Sequence, residues 1–284
     1  MLEYKCLTVG KKLSCFTATI RSHTGILGQR ESGKEEIIKA TFRLIKADGE
    51  VKLDGVNILG MKDEEFRKIL WTKISWVPYD VMQLFNPIYD VASHFVEIFI
   101  SHGLGNSDYA LDVAREFLKI LGLNPEEVLK SYVFQLSPLK LKKTALALAL
   151  FTEPEHVLVD DIEYGISEID QIQVVNSIID VMSTTSSIFL ISDNDPAVLS
   201  RVADHFIVLY RGEILEEGDN VLVDPLHPYT IDVLRGYVAP EGYLSDGCVY
   251  ANSCYYSSVK CMLKKPEMIK IGNRVVKCHL YPNV

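Results

Sequence analysis

The sequence has no apolar run long enough to cross a bilayer. The longest one, Ala145 to Phe151, is far short of the roughly 20 residues that a membrane-spanning helix needs. The N-terminus also lacks a long apolar stretch after a basic start, so it does not predict a secretory signal. We therefore expect a cytosolic protein whose membrane contact, at the inner face, is made through a partner.

An excess of positive charge is missing as well. Lysine and arginine number 29 against 38 acidic residues, and the net charge is -9. A chain with this balance has no overall field that attracts nucleic acid. The composition therefore argues against nucleic acid as a partner.

The sequence has six cysteines but no pair at the two-to-four-residue spacing that is typical of structural zinc. In a reducing compartment we expect cysteines to be metal ligands or buried thiols rather than disulfides. Cys6 and Cys15 fall in predicted strands, where we expect them to pack in the core.

Apolar residues make up 48% of the 284 residues, which is enough for one sizeable core. Alternating segments predict short strands over 2–9 and 16–20, and a hairpin over 51–59 that turns at Gly55. This is a small antiparallel lobe. The pattern from Pro87 to residue 151 is helical, and one apolar helix face is predicted within residues 112–121.

Further apolar runs follow in the second half of the chain. Residues 157–159 and 188–191 are short, apolar and followed by polar residues, so they predict buried parallel strands. Residues 206–210 lead into RGEILEEGD, which predicts a hairpin. After Pro240 the composition changes to cysteine, tyrosine and glycine, which indicates a separate tail.

A phosphate-loop pattern, GxxxxGK, begins at Gly28 and precedes a predicted helix over 37–44. In such loops backbone amides bind phosphates, a lysine reaches the terminal ones and a closing hydroxyl holds magnesium. Here a glutamate replaces that hydroxyl. The candidate nucleotide-binding residues of this loop are Gly28, Ser32, Gly33, Lys34 and Glu35.

Several further segments, in chain order, resemble the ATP-binding subunits of oligopeptide, dipeptide and nickel ABC importers. They are DGEVKLDGVNILGMKDEEFRKI, ISWVPYDVMQLFNPIYDV, SYVFQLSPLKLKKTALALAL, PEHVLVDD, VLYRGEILEEGD and DPLHPYTIDVL. The resemblance implies a P-loop α/β fold with an antiparallel β subdomain, a helical subdomain at about 88–150 and a cysteine-rich extension. We expect a nucleotide-binding domain over 1–237 and the extension over 238–284.

The resemblance also implies roles for single positions, most of which are substituted. Tyr79 stands where the family has the Q-loop glutamine. Asp160 matches the magnesium-linked Walker B aspartate. Asp161 replaces the glutamate that polarises water, and it is one methylene shorter, which moves it back from the attacking water. Glu163 is the only nearby candidate for a replacement base.

The remaining substitutions affect the γ-phosphate contact and the dimer. Asp193 occupies the position of the switch histidine, and Ser167 that of an aspartate that links the two sites of the dimer. In the signature segment Ser137 is retained, but Pro138 and Leu139 replace two glycines. Proline has no amide hydrogen to donate to a phosphate.

Three acidic residues, Glu31, Glu35 and Asp193, are added around the expected triphosphate. At about 4 Å and an effective dielectric of roughly 20, each like-charge contact costs on the order of 4 kcal/mol. We therefore expect ATP and magnesium to bind weakly or not at all, without hydrolysis by this chain.

The tail carries Cys248, Cys254, Cys261 and Cys278 at the spacing CX5CX6CX16C. It resembles the tail of many importer subunits, which in some members holds a 4Fe-4S cluster, and four thiolates are the ligands that this cluster needs. We favour the cluster, with zinc as the alternative and free buried thiols third.

The aromatic residues of the tail and the histidine of the HPYT segment also have predicted roles. We expect the tyrosines at 243, 250, 255 and 256 to shield the metal site. His227 is predicted to be a structural hydrogen-bonding residue rather than a catalyst.

The resulting hypothesis is a degenerate nucleotide-binding subunit. It pairs with a catalytic ABC ATPase subunit and docks a membrane permease through residues 79–91, for import of peptides, nickel or a similar solute. The alternatives are a scaffold in a soluble multi-protein complex that handles metal clusters and a slow, self-sufficient ATPase.

Overall fold

The computed structural model describes residues 1–162, 164–239 and 246–281. The chain divides into two compact units, the first formed by Met1–Leu59 with Ser192–Val284 and the second by Gly60–Ile191. None of the described helices is both long and apolar enough to span a bilayer.

The strands and helices are numbered separately in chain order. The strands are β1 (Leu2–Val9), β2 (Leu13–Ile20), β3 (Thr24–Leu27), β4 (Asp48–Leu53), β5 (Val56–Asn57), β6 (Ile74–Val77), β7 (His156–Asp160), β8 (Ile188–Asp193), β9 (His205–Tyr210), β10 (Glu213–Gly218), β11 (Ile269–Ile271) and β12 (Arg274–Val276). The helices are α1 (Lys34–Thr41), α2 (Asp63–Ile69), α3 (Val91–Ser101), α4 (Ser107–Ile120), α5 (Pro125–Leu129), α6 (Pro138–Leu150), α7 (Glu168–Thr184), α8 (Pro196–Val202), α9 (Pro228–Leu234) and α10 (Val259–Leu263).

The antiparallel lobe predicted from alternation is present in the first unit as a sheet of order β2-β1-β4-β5. Alternate residues of β1 and β2 are buried, as the period of a strand requires. The ring of Tyr4 packs edge to face on Phe16, with centroids 5.2 Å apart. Its hydroxyl hydrogen-bonds to Thr41 Oγ1 at 3.0 Å, which ties α1 to the sheet.

Cys6 and Cys15 correct two predictions, because they are exposed and form a disulfide. The cause is a pair of β-bulges. From Tyr4 to Leu7 β1 advances three residues while β2 advances two, and the next step, from Leu7, reverses the excess. The extra residue of a bulge leaves the regular alternation of the strand, so the two cysteines turn away from the core that they were expected to fill.

The other strands of the first unit have the order β11-β12-β10-β9-β3, with β3 parallel to β9 and β10 antiparallel to β9. The hairpin predicted over 206–219 is thus confirmed. Beside it, His205 lies between two carboxylates, with Nε2 3.1 Å from Glu217 Oε1 and Nδ1 2.6 Å from Asp219 Oδ1. The hydrogen bond to Glu217 raises the pKa of His205 despite its partial burial.

The second unit contains strands in the order β8-β7-β6, with β7 parallel to β6, and most of its remaining ordered elements are helices. The predicted apolar face of α4 is confirmed, since Ala114, Phe117, Leu118 and Leu121 are all buried. Side-chain oxygens that accept backbone amides begin each of the helices α3 to α7, as N-cap chemistry predicts.

Candidate nucleotide site

The predicted phosphate loop connects β3 to α1, and two glycines allow its path. A Cβ on Gly28 would lie 2.4 Å from Ser32 Oγ and 2.8 Å from the Leu209 carbonyl oxygen. Gly33 has a φ of 100°, and its Cβ would lie 2.8 Å from the Lys12 carbonyl oxygen. Because the backbone passes so close at both points, a side chain at either position would distort the loop.

The N-terminus of α1 has the features of an anion-binding helix end. Its N-cap residue, Gly33, makes no side-chain hydrogen bond, so the first amides keep their capacity to bind phosphate. Lys34 is buried, and its Nζ donates to the Gly28 carbonyl at 2.9 Å and to Asn194 Oδ1. The Ser32 hydroxyl is buried and has no hydrogen-bond partner within the described residues.

Glu35, at the position of the magnesium-binding hydroxyl, forms an ion pair within its own helix. Lys39 Nζ lies 2.8 Å from Glu35 Oε2, at the i,i+4 spacing, and the Glu35 side chain is 46% exposed. The next residue, Glu36, pairs with Lys12 Nζ at 3.0 Å. The positive charge of Lys39 therefore lies beside the Glu35 carboxylate. The repulsion of phosphate that was expected from the sequence did not take this charge into account.

Asp193 is the last residue of β8 and is fully buried. Its Oδ1 accepts hydrogen bonds from the amides of Asn194, at 2.7 Å, and Asp195, at 3.0 Å. Its carbonyl oxygen accepts from the Gly28 amide at 3.3 Å. At the position of the switch histidine, this carboxylate thus binds the following turn of its own chain, and Asn194 is the residue that reaches Lys34.

In the second unit, Asp160 ends β7 and is buried. Asp161 follows with a φ of 50°, and its Oδ1 accepts the Tyr164 amide at 3.0 Å. The Asp161 carbonyl accepts Lys142 Nζ at 2.7 Å, and Lys142 is itself buried. The shorter carboxylate therefore closes a local turn. Glu163 lies outside the described residues.

Tyr79, at the Q-loop position, packs its ring edge to face on Tyr164, with centroids 4.9 Å apart. The two rings line a cavity of about 310 Å³ together with side chains that include Met82, Phe134 and Pro138. The cavity is lined mainly by apolar residues, so Tyr79 has aromatic contacts where the family has a polar amide.

Two serines of the second unit are helix caps. The Ser137 hydroxyl accepts the Lys140 amide at 3.4 Å, and Pro138 takes the first position of α6, where proline is well tolerated. Ser167 Oγ accepts the Asp170 amide at 3.2 Å at the start of α7. The substitutions at 138 and 167 are therefore compatible with stable helix starts.

No family model matches the chain, whereas individual sequence relatives do. A dipeptide transport ATP-binding protein, DppD, from Caldanaerobacter subterraneus subsp. tengcongensis is 30% identical over 285 residues, covering 92% of this chain and 87% of that protein. The chain belongs to the family of ATP-binding subunits of dipeptide and oligopeptide ABC importers.

Two further comparisons extend this result. The metal-staphylopine import ATP-binding protein CntD of Staphylococcus aureus is 27% identical and covers 76% of this chain and 82% of that protein. The dimeric structure of a bacterial ABC transporter cassette superposes with a TM-score of 0.67 at 22% identity, over 77% of this chain and 98% of the cassette. The importer subunit thus has the P-loop fold of ABC ATPases, with mixed α/β sheets and helical parts.

The four tail cysteines of the subunit lie near one another without forming a closed site. Cys248 donates its amide to the Cys261 carbonyl at 2.8 Å, and a negative charge on a neighbouring thiol would raise the pKa of Cys248, Cys254 or Cys278 further. Burial raises the pKa of Cys248 to about 11 and also raises the pKa of Cys254 and Cys278. Across residues 1–162, 164–239 and 246–281, no three His, Cys, Asp or Glu side chains are arranged to hold a metal ion.

The expected tyrosine shield is only partly present. Tyr250 is buried, whereas Tyr255 is 92% and Tyr256 57% exposed, so the expectation for the latter two was wrong. Tyr243 lies outside the described residues. His227 is confirmed as a structural residue, because its Nδ1 accepts the Tyr229 amide at 3.0 Å and burial lowers its pKa to about 3.

Sequence reasoning missed Tyr229 as a residue of the site. Its hydroxyl accepts the amide of Gln29, the second residue of the phosphate loop, at 3.2 Å. Its place in the HPYT segment marked the family but carried no sign of a contact 200 residues away.

Proposed function

We propose that this importer subunit binds nucleotide weakly and does not hydrolyse ATP, and that a catalytic ATP-binding subunit is its heterodimer partner. One observation carries the proposal. The carboxylates that replace the catalytic glutamate and the switch histidine, those of Asp161 and Asp193, both accept backbone amides of their own turns.

The chemistry of hydrolysis explains why this matters. The residue that activates water must lie within hydrogen-bond reach of it. Asp161 is one methylene shorter than glutamate, and its Oδ1 accepts the Tyr164 amide, so the carboxylate is held in its own turn and back from the attacking water. Asp193 is fully buried and its Oδ1 accepts two backbone amides, whereas a histidine at this position can donate an N–H to the γ-phosphate.

The signature segment also favours weak binding at the second nucleotide site of a dimer. Pro138, at the first position of α6, has no amide hydrogen, although the Ser137 hydroxyl, which caps α6 by accepting an amide, keeps its own proton to donate. A phosphate bound by the partner subunit would therefore find fewer donors in this segment than the glycines of the family supply. Weak contribution to both sites supports a subunit whose main role is assembly with its partner.

The residues proposed to dock the permease are apolar and exposed. Within the segment 79–91, Ile88 is 75% and Tyr89 51% exposed, and Phe134, which lines the cavity beside Tyr79, is 65% exposed. They belong to the same unit as the cavity beside Tyr79. Exposed apolar side chains of this kind are typical of protein contact sites, so we place the permease here and the subunit at the inner face of the membrane. The names of the relatives support peptides or metal chelates as the imported solutes.

The tail thiols have the chemistry of a metal site. Cys248, Cys254, Cys261 and Cys278 supply the four sulfur ligands that a 4Fe-4S cluster needs, with zinc as the alternative. A bound cluster would supply one-electron redox chemistry. Because no three of these side chains are arranged to hold a metal ion among the described residues, binding would require the thiols to lose their protons and to move together.

Equilibrium binding of Mg-ATP to the anaerobically purified chain tests the nucleotide proposal, with Lys34→Ala as the control. The expected result is weak binding that depends on Lys34, without turnover. Binding in the micromolar range together with hydrolysis that disappears in Asp160→Ala would establish a self-sufficient ATPase instead. Purification with a permease supports the importer role, whereas a soluble complex without membrane proteins supports the scaffold.

A further inference from the structure

The segment that precedes and begins α9 is fixed by one buried carboxylate. Glu216, on β10, is fully buried. Its oxygens accept the amides of Leu226, at 2.8 Å, and His227, at 2.9 Å, together with the Thr230 hydroxyl, at 2.8 Å. Hydrogen bonds to a carboxylate are short and strong, so this segment has one defined position in the first unit.

Tyr229 projects from this fixed segment to the phosphate loop. It is 1% exposed, and its ring centroid lies 4.6 Å from that of Tyr210 and 5.2 Å from that of Tyr250. Aromatic packing on two sides restricts the ring. Burial raises the pKa of Tyr229, so its hydroxyl stays neutral while it accepts the Gln29 amide.

Tyr250 connects the same cluster to the cysteine segment. The Ala251 amide donates to the Cys248 carbonyl at 3.0 Å, and the Cys254 amide donates to the Tyr250 carbonyl at 3.1 Å. Tyr250 therefore lies in a turn whose backbone is bonded to two of the thiol-bearing residues. Its hydroxyl donates to Asp232 Oδ2 at 2.5 Å, on α9, the helix that begins beside Tyr229.

We propose that Tyr229 is a positioning residue of the phosphate loop, and that Tyr250 transmits the conformation of the four-cysteine segment to it. The proposal deepens the proposed function, because it names what controls the loop. Of the tests below, only the affinity measurement depends on the proposed nucleotide binding. The turn that carries Tyr250 is bonded to Cys248 and Cys254, so a rearrangement of these cysteines would displace the ring that packs on Tyr229 and, through Tyr229, the contact with Gln29.

Amide hydrogen exchange of the full chain measures the first step directly. Tyr229→Phe removes the hydroxyl and keeps the ring, and loss of one hydrogen bond is expected to speed exchange of the Gln29 amide about fivefold to tenfold. Tyr255→Phe is the matched control, since Tyr255 is 92% exposed. An unchanged Gln29 rate in Tyr229→Phe overturns the positioning role, whether or not the chain binds nucleotide.

A second pair of variants tests the link to the tail. Tyr250→Leu removes the ring, and Tyr250→Phe removes only the bond to Asp232. We expect Gln29 exchange to rise at least about threefold in Tyr250→Leu and less in Tyr250→Phe. Anaerobic addition of iron and sulfide to the wild type is expected to change the same rate. An unchanged rate in Tyr250→Leu overturns transmission by Tyr250, and an unchanged rate in wild type that has taken up iron and sulfide overturns the link to the cysteine segment.

Nucleotide affinity completes the test. A fluorescent ATP analogue with magnesium is expected to bind Tyr229→Phe about fivefold more weakly than wild type. Faster Gln29 exchange with unchanged affinity would show that the loop moves without affecting nucleotide, which overturns the functional part of the positioning role. A wild type without any Lys34-dependent binding would refute weak binding, while the exchange result still decides the positioning.

Discussion

Removal of the charge on Glu35 is predicted to strengthen nucleotide binding and weaken the fold at the same time. Glu35→Gln removes the charge only, whereas Glu35→Thr also restores the hydroxyl that holds magnesium in phosphate loops. Comparison of the two variants therefore separates repulsion of phosphate from coordination of magnesium.

The ion pair with Lys39 sets the size of the effect. An unpaired carboxylate about 4 Å from a phosphate, at an effective dielectric of roughly 20, would cost on the order of 4 kcal/mol. Glu35 is instead 2.8 Å from Lys39 Nζ and 46% exposed, so most of that repulsion is cancelled or screened. We expect about 1 kcal/mol, which is about fivefold in the dissociation constant of Mg-ATP.

The same substitution removes two favourable terms from α1. A carboxylate in the first turn of a helix contributes about 0.3–1 kcal/mol through the helix dipole. The i,i+4 pair with lysine adds about 0.2–0.5 kcal/mol. We therefore expect Glu35→Gln to lower the free energy of unfolding by about 0.5–1.5 kcal/mol.

Calorimetric titration with ATP, with and without magnesium, and urea unfolding of the same samples measure both effects. Glu168→Gln is the matched control, because Glu168 is an exposed acidic residue in the first turn of α7. Glu35→Thr should exceed Glu35→Gln in affinity only when magnesium is present. If Glu35→Gln binds Mg-ATP no more tightly than wild type, electrostatic repulsion at this position is not what weakens binding.

Three further predictions concern features of the first unit: a glycine of the phosphate loop, the disulfide and a histidine. Gly28→Ala should lower the free energy of unfolding by about 1–3 kcal/mol through overpacking. Gly60→Ala is the control and should change it little, because the space around the new methyl group is open; equal urea midpoints for the two variants would contradict the prediction. Reduction of Cys6–Cys15 should cost about 2–3 kcal/mol for a loop of this length, and identical unfolding with and without dithiothreitol would mean that the bond does not form. The pKa of His205 is raised in the folded chain, so its contribution to stability is complete below the pKa of the unfolded state and is lost as pH rises through the pKa of the folded state. The Tm of wild type should therefore exceed that of His205→Gln by more at about pH 6 than at about pH 9, and a difference that does not change with pH would refute this.

The regular parts of the fold were predictable because they follow simple periods. Alternation located β1, and the 3.6-residue spacing located the buried face of α4. The GxxxxGK pattern located the loop, and Gly28 and Gly33 have the close backbone approaches that such a loop demands. These features depend on residues that are neighbours in sequence, so a local pattern is sufficient to find them.

A β-bulge cannot be predicted from alternation, as Cys6 and Cys15 show. One extra residue in each strand shifts the alternation, and it turns Cys6 and Cys15 from the expected core to the surface. Asp193 presents a similar limit. Its identity predicts a negative charge at the switch position, but the direction of its carboxylate depends on the backbone of the next two residues, whose amides bind it.

Tyr229 represents the part of the site that no local pattern could locate. A tyrosine at a helix start is compatible with packing, with a cap or with a distant hydrogen bond, and only the folded chain selects among them. Here the hydrogen bonds of Glu216 determine where Tyr229 lies. A buried carboxylate needs donors, and those of Glu216 belong to the segment that carries Tyr229. The closing segment of the subunit is thus coupled to the phosphate loop by the hydrogen-bonding needs of one buried acid, and the aromatic contact with Tyr250 brings the cysteine segment into the same unit of structure.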